Sequence, residues 1–288
     1  MLRERLLSAA VGIPAVIAIL FLDGIPALQN IPLLLLAAGV AAMGAEEVGV
    51  LLHRRGYAPP KWLGASLGPL PPLVLYFHGA RPAYSDAILV VLTLTIVFLV
   101  LMAFLTLIAD VVKRSWMALR DFALVVAGAT YVGGALGLLL LLRYLRYDTS
   151  PPWGMWPVLL VFLCTWAMDA AAFLTGSRWG RHRLCPSVSP AKSVEGAVSG
   201  LLASIVISGV FLTLATHPRH PLLAAAAIGL ALGVAGEAGD LLESRFKRWV
   251  GAKDSGDVIP GHGGVLDRFD SLLLAAPVLY LILRLYRG

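Results

Sequence analysis

The 288-residue chain is 59% hydrophobic and only 14% charged. Soluble domains sit nearer about 45–50% apolar and about 25% charged, so a water-soluble architecture is excluded and an integral membrane protein is indicated. The formal charge of +6 resides in short segments between apolar runs, which suits anionic headgroups and a charged substrate rather than nucleic acid. The two cysteines, Cys164 in a predicted helix and Cys185 in a predicted loop, indicate neither a disulfide framework nor a metal cluster.

Arg3 and Arg5 followed by the apolar run Leu6–Leu22 have the outline of a signal peptide. Asp23-Gly24-Ile25-Pro26 offers no small-x-small cleavage site, however, and further apolar segments follow, so this run is expected to be a retained first helix. A helix needs about 20 mostly apolar residues to span a bilayer. By that measure about nine spans are expected, over residues 6–22, 31–52, 62–78, 86–109, 121–142, 153–175, 194–216, 221–242 and 267–286. The third is interrupted by Pro69, Pro71 and Pro72, and a kinked helix of this kind needs neighbours to cover its freed carbonyls. With the N-terminus inside, Arg54, Arg55, Lys61, Lys113, Arg114, Arg178, Arg181, Arg183, Lys192, Arg245, Lys247, Arg248 and Lys253 all face the cytoplasm. The opposite side keeps few cations, and positive charge collects inside.

The expected fold is therefore all-α: a polytopic membrane helical bundle in the inner (cytoplasmic) membrane, with its N-terminus cytoplasmic. Residues 1–150 would supply bundle and oligomer contacts, and residues 151–288 a cytoplasmic-side site. There is no long repeat. The small-xxx-small pairs Gly133/Gly137, Gly196/Gly200 and Gly229/Gly233 suit close helix contact, although 29 glycines also produce such pairs by chance.

The stretch Ser244–Asp270, SRFKRWVGAKDSGDVIPGHGGVLDRFD, carries the chemistry. Charge is expensive in hydrocarbon, so a dense charged block between apolar segments points to function. At about 100° per residue, Asp240, Ser244 and Lys247 fall within about 60° of one another on one helix face. Lys247 and Arg248 also complement a helix C-terminus, which leaves the deeper Asp240 unexplained. Asp267 and Asp270 share one side of a first helical turn. Either alone is an ordinary dipole partner, but with Asp240 they make a carboxylate set of the kind that holds Mg²⁺. Pro260-Gly261-His262-Gly263-Gly264 reads as a tight turn whose N–H groups suit an anion. His262 is expected to donate to phosphate, and Lys253 to lie near phosphates although it could pair with Asp254. These types together indicate phosphoryl or nucleotidyl transfer at a membrane surface.

A second loop reads Ser189-Pro190-Ala191-Lys192-Ser193-Val194-Glu195-Gly196. Ser193 to Gly196 suit a helix start, while Lys192 suits a phosphate. Asp169 is an intramembrane acid and a suspect on that ground. Glu46 and Glu47 near the end of the second span receive no role.

At these residues the chain resembles the phosphatidate cytidylyltransferase (CDP-diacylglycerol synthase) family. That family's pattern of Ser, Lys-Arg, Lys-Asp, a Pro-Gly-His-Gly-Gly turn and Asp-Arg-x-Asp is present as Ser244, Lys247-Arg248, Lys253-Asp254, Pro260 to Gly264, Asp267-Arg268 and Asp270. Two family segments depart: Ala191 and Ser193 replace a Lys and a Thr, and Asp169-Ala170-Ala171-Ala172-Phe173 lacks a hydroxyl at each end. The resemblance implies transfer of the cytidylyl group of CTP to phosphatidic acid, with Asp240, Asp267 and Asp270 as Mg²⁺ ligands and a second cation left open. It implies a catalytic set of Asp240, Lys253, Asp254, Asp267 and Asp270. Substrate and phosphate contacts fall to Ser189, Lys192, Ser244, Lys247, Arg248, His262, Gly263, Gly264 and Arg268. It further implies membrane lipid as partner and a homodimer. A CTP-dependent lipid or polyprenol kinase needs the same parts and is the alternative. An ion transporter would spread its acids across the bilayer rather than collect them at one side.

Overall fold

A computed structural model describes residues 2–23, 25–28, 30–80, 117–145, 155–216, 222–256 and 263–286. Nearly all are helical, as long apolar runs require: hydrocarbon offers no partner for backbone N–H and C=O groups, and a helix pairs them internally. The helices are α1 (Leu2–Asp23), α2 (Ile31–Arg54), α3 (Lys61–Leu67), α4 (Leu70–Ala80), α5 (Met117–Tyr144), α6 (Trp156–Trp179), α7 (Val194–Thr216), α8 (Leu222–Trp249) and α9 (Leu266–Tyr286). Among the described residues, five helices are long and apolar enough to cross a membrane: α2, α5, α6, α7 and α8. The expected span 86–109 lies outside the described residues.

Two expectations are corrected. The third span is two short helices, α3 and α4, joined through Gly68 and Pro69. Proline lacks an N–H, and Pro71 and Pro72 sit in the first turn of α4, where no intrahelical donor is needed. Gly64 and Gly68 let this segment lie directly on α2, since a Cβ at either would strike the carbonyl of Ala45 or Ala41. The second correction is a small antiparallel hairpin, β1 (Arg183–Cys185) and β2 (Ser189–Ser193), in what was expected to be a loop. The fold is thus nearly, not wholly, helical.

The chain divides into two compact units, Met1–Tyr144 with Val250–Asp267, and Leu145–Trp249 with Arg268–Gly288. In the first, α2 packs along α5 and α3, and α4 lies on α5. Leu33, Leu51, Leu52, Leu63, Leu136 and Leu140 are fully buried there. One buried ion pair ties the ends of α1 and α5: Asp23 Oδ2 accepts from Arg143 Nε at 2.9 Å, and its Oδ1 accepts the Leu33 N–H at 3.1 Å.

In the second unit α6 packs on α7 and α7 on α8. Small residues allow the close approach: Ser204 Oγ donates to the Gly229 carbonyl and Ser208 Oγ to the Ala225 carbonyl, both at 2.7 Å. Gly196 and Gly200 face Ala172 and Met168 of α6, while Gly229 and Gly233 face Ser204 of α7. These glycine pairs are helix contacts, which their spacing alone left undecided. The other face of α7 exposes Val198, Leu202, Val206, Val210 and Leu214 at every fourth position. A continuous apolar stripe of that length is what a helix facing hydrocarbon would carry.

Candidate active site

In the second unit, Lys192 on β2 reaches two acids of α8, Glu237 Oε1 at 2.7 Å and Asp240 Oδ2 at 2.8 Å. Burial alone would lower the Lys192 pKa; the Asp240 and Glu237 carboxylates outweigh it and hold the ammonium above its ordinary value. The other oxygen of Asp240 accepts from Ser244 Oγ at 3.2 Å, one turn along. The predicted face of Asp240 and Ser244 is therefore realised. Lys247, expected on that face, pairs with Glu243 at 3.2 Å in an i,i+4 contact.

Asp270 on α9 lies within electrostatic reach of Asp240. Its Oδ1 accepts the Ser271 N–H at 2.6 Å. Asp270 comes close to α8 because Gly239 has no side chain to meet the Asp270 carbonyl. Asp169 of α6 is solvent-accessible, yet crowded enough to feel Asp270, Asp240, Lys192 and Glu237. Five carboxylates (Asp169, Glu237, Asp240, Glu243 and Asp270) thus gather around two ammonium groups, Lys192 and Lys247. Such a surplus of hard anionic oxygens favours further positive charge, or else protonation of part of the set.

Local chemistry fixes the hairpin that delivers Lys192. Ser193 Oγ, buried, accepts the Gly196 N–H at 3.1 Å and so caps the start of α7. Glu195 accepts the N–H groups of Arg181 and His182 and pairs with His182 Nδ1 at 2.7 Å. Arg248 Nε donates to the Val188 carbonyl at 3.3 Å, tying the hairpin turn to the end of α8. Ser189 is half-buried, in register with Cys185.

In the first unit, Ser255, Val265 and Leu266 converge on a glutamate that lies outside every motif named above. Glu47 of α2, buried, accepts from Ser255 Oγ at 2.7 Å, from the Val265 N–H at 2.7 Å and from the Leu266 N–H at 2.9 Å. Asp267 Oδ2 accepts from the Ser255 and Gly264 N–H groups, both at 2.9 Å, and lies 3.0 Å from Ser255 Oγ, whose single proton it shares with Glu47. Gly263 has φ +81°, where a side chain is strained, and a Cβ on Gly264 would strike Glu47 and Ser255. The Gly264 N–H, expected to serve a phosphate, is thus given to Asp267. Lys253, Asp254 and Arg268 are exposed. Pro260, Gly261 and His262 lie outside the described residues.

Among the described residues no three His, Cys, Asp or Glu side chains are grouped as a metal site. The donor chemistry nonetheless fits Mg²⁺, which usually takes one or two carboxylates and completes its shell with water and substrate phosphates. Asp240 and Asp270 are such a pair within one unit. Glu237, Glu243 and Glu195, given no part above, pair with Lys192, Lys247 and His182. Glu237 precedes Asp240 by three residues on α8, a spacing that could have flagged it.

Membrane-crossing helices that hold a carboxylate–lysine cluster, with a glycine turn tied by acids, define a class of polytopic membrane enzymes that handle phosphate groups. The chain belongs to the cytidylyltransferase family, whose sequence pattern matches residues 3–286. It is 37% identical to a phosphatidate cytidylyltransferase of Staphylococcus saprophyticus over 185 residues, which are 64% of this chain and 68% of that protein. A phosphatidate cytidylyltransferase of Staphylococcus haemolyticus is 34% identical over the same shares of the two chains. One of Staphylococcus epidermidis is 37% identical over 186 residues, again 64% of this chain and 68% of the relative.

Proposed function

We infer that the chain transfers the cytidylyl group of CTP to phosphatidate, forming CDP-diacylglycerol and pyrophosphate. The observation that carries this is the family match across residues 3–286. The nucleophile is an oxygen of the phosphatidate phosphate. Its second pKa is about 6, so it is already mostly dianionic at neutral pH and needs no general base. A new P–O bond forms to the α-phosphorus of CTP while the α–β anhydride bond breaks, and its electron pair leaves on pyrophosphate.

The protein's task is to bring two polyanions into line and to stabilise the charge that develops. Lys192 is a permanent ammonium, held by Glu237 and Asp240 until a phosphate competes for it. Lys247, Arg248, Lys253, His262 and Arg268 supply further positive charge or donors, and Ser189 and Ser244 supply hydroxyls. Asp254 belongs to the same catalytic set. Asp240, Asp267 and Asp270 would hold Mg²⁺, which neutralises phosphate charge when bound. Asp267 already gives one oxygen to the Ser255 and Gly264 N–H groups.

The same reading takes the chain as a homodimer of the inner membrane with about nine spans and a cytoplasmic N-terminus. The collection of Lys and Arg in one set of loops supports that orientation. The test is incubation of purified protein with α-labelled CTP, phosphatidate and Mg²⁺, followed by lipid extraction. Label in the lipid with release of pyrophosphate is expected. Release of labelled CDP with a newly phosphorylated lipid would make the enzyme a kinase and overturn the reading.

A further inference from the structure

We propose that Glu47 is a positioning residue for cytidylyl transfer, clamping both arms of the α8–α9 segment through one buried carboxylate. The proposal rests on the transfer reaction inferred above. The incoming arm carries Lys253 and Asp254 and is held at the next residue, where Ser255 Oγ donates to Glu47 Oε2 at 2.7 Å. The outgoing arm is held at Val265 and Leu266, whose N–H groups donate to Oε1 and Oε2 at 2.7 and 2.9 Å. Those two amides stand at the start of α9, so Glu47 also supplies the negative charge that a helix N-terminus favours.

Ser255 extends the clamp. Its hydroxyl oxygen lies between Glu47 Oε2 and Asp267 Oδ2, at 2.7 and 3.0 Å. Asp267, a proposed Mg²⁺ ligand, is thereby set by a chain that starts on α2. The backbone is shaped to admit the carboxylate. A Cβ on Gly256 would lie 3.1 Å from Glu47 Oε1, and one on Gly264 would collide with the same side chain. Only a carboxylate suits three converging donors, because it is acceptor-only on both oxygens. An amide of the same shape would turn an NH₂ towards an N–H or O–H. Glu47 would act through Ser255, Asp267 and the start of α9.

Glu47→Gln and Glu47→Asp in the full-length protein test this by two separate readouts. The first is amide hydrogen exchange without substrates. In Glu47→Gln, peptides covering Lys253–Gly256 and Gly263–Leu266 should exchange about tenfold faster, while α2 and α5 stay protected. The second is steady-state transfer, where misplacement of this kind costs about a hundredfold. The loss should fall mainly on kcat, with KM for CTP changed little, and Glu47→Asp should restore much of it. Unchanged exchange in Glu47→Gln overturns the clamp. Faster exchange with transfer within about threefold of wild type overturns its role in positioning. A loss that merely tracks the fraction of unfolded protein does the same. Wild-type protein that makes no CDP-lipid overturns the reaction and the catalytic half of the proposal, while exchange still judges the clamp.

Discussion

Lys192 is the cation on which the acidic cluster turns. Its ammonium bridges Glu237 and Asp240 while only 20% exposed, so replacing it with an apolar residue of similar length leaves two crowded carboxylates without their counter-charge. Lys192→Met should lower CDP-lipid synthesis about a hundredfold at saturating CTP. Activity within threefold would remove Lys192 from the site. Because its pKa is raised in the fold, the pairing is complete below the ordinary lysine value and fades only as pH climbs through the raised one. Loss of activity on the acid side therefore has another origin. Asp240→Asn should abolish turnover without unfolding the bundle, and a chelator should silence the wild type until Mg²⁺ is restored. Near-normal turnover of Asp240→Asn, with an unchanged magnesium requirement, would exclude Asp240 as a ligand. Asp240 and Ser244 were legible because helical periodicity places i and i+4 on one face. Glu47 was not: its partners Ser255, Val265 and Leu266 lie 208, 218 and 219 residues away, and no local pattern encodes a contact of that range.

Among the elements, helices were readable wherever an apolar run of bilayer length occurred, and α7 begins and ends where hydrophobicity placed it, at residues 194 and 216. α8 continues to Trp249, beyond its apolar run, because a helix needs only backbone pairing while a span also needs apolar side chains. The hairpin at 183–193 was hidden because strands of three and five residues carry too little alternation to stand out from a polar loop. Glycine spacing was ambiguous until partners were visible. At Gly229 the nearest atoms to an added Cβ are the Ile205 Cα and the Ser204 carbonyl oxygen, both at 2.7 Å and both backbone, so nothing there can rotate away. Gly229→Leu should therefore force α7 from α8 and destabilise the protein by about 1–3 kcal/mol, seen as a lower thermal midpoint in detergent. Ser204→Ala, which removes one interhelical hydrogen bond, should cost only about 0.6 kcal/mol. Equal effects from the two substitutions would mean that hydrogen bonding, not close approach, holds this helix pair.

For the whole molecule, the orientation in the membrane decides whether the site meets CTP. The hairpin, the end of α8 and the segment that follows it carry the dense cations, and positive charge is retained on the cytoplasmic side during insertion. The turn between α1 and α2 should then face the opposite side, since a single span separates it from Arg3 and Arg5. Two exposed positions report the two sides: Ser187 in the hairpin turn and Ile25 after α1. Cys164 and Cys185 must first be replaced, because Cys185 is only half-buried. In that background, a membrane-impermeant maleimide should label Ser187→Cys in inside-out vesicles and leave it untouched in intact spheroplasts. Ile25→Cys should behave in the reverse way. The opposite pattern at both positions would place Lys192 and its acids where no nucleotide is made, and cytidylyl transfer could not run from that side. Labelling of both positions from one side would mean an even number of crossings between residues 25 and 187, so that one of the five spans expected between them does not cross.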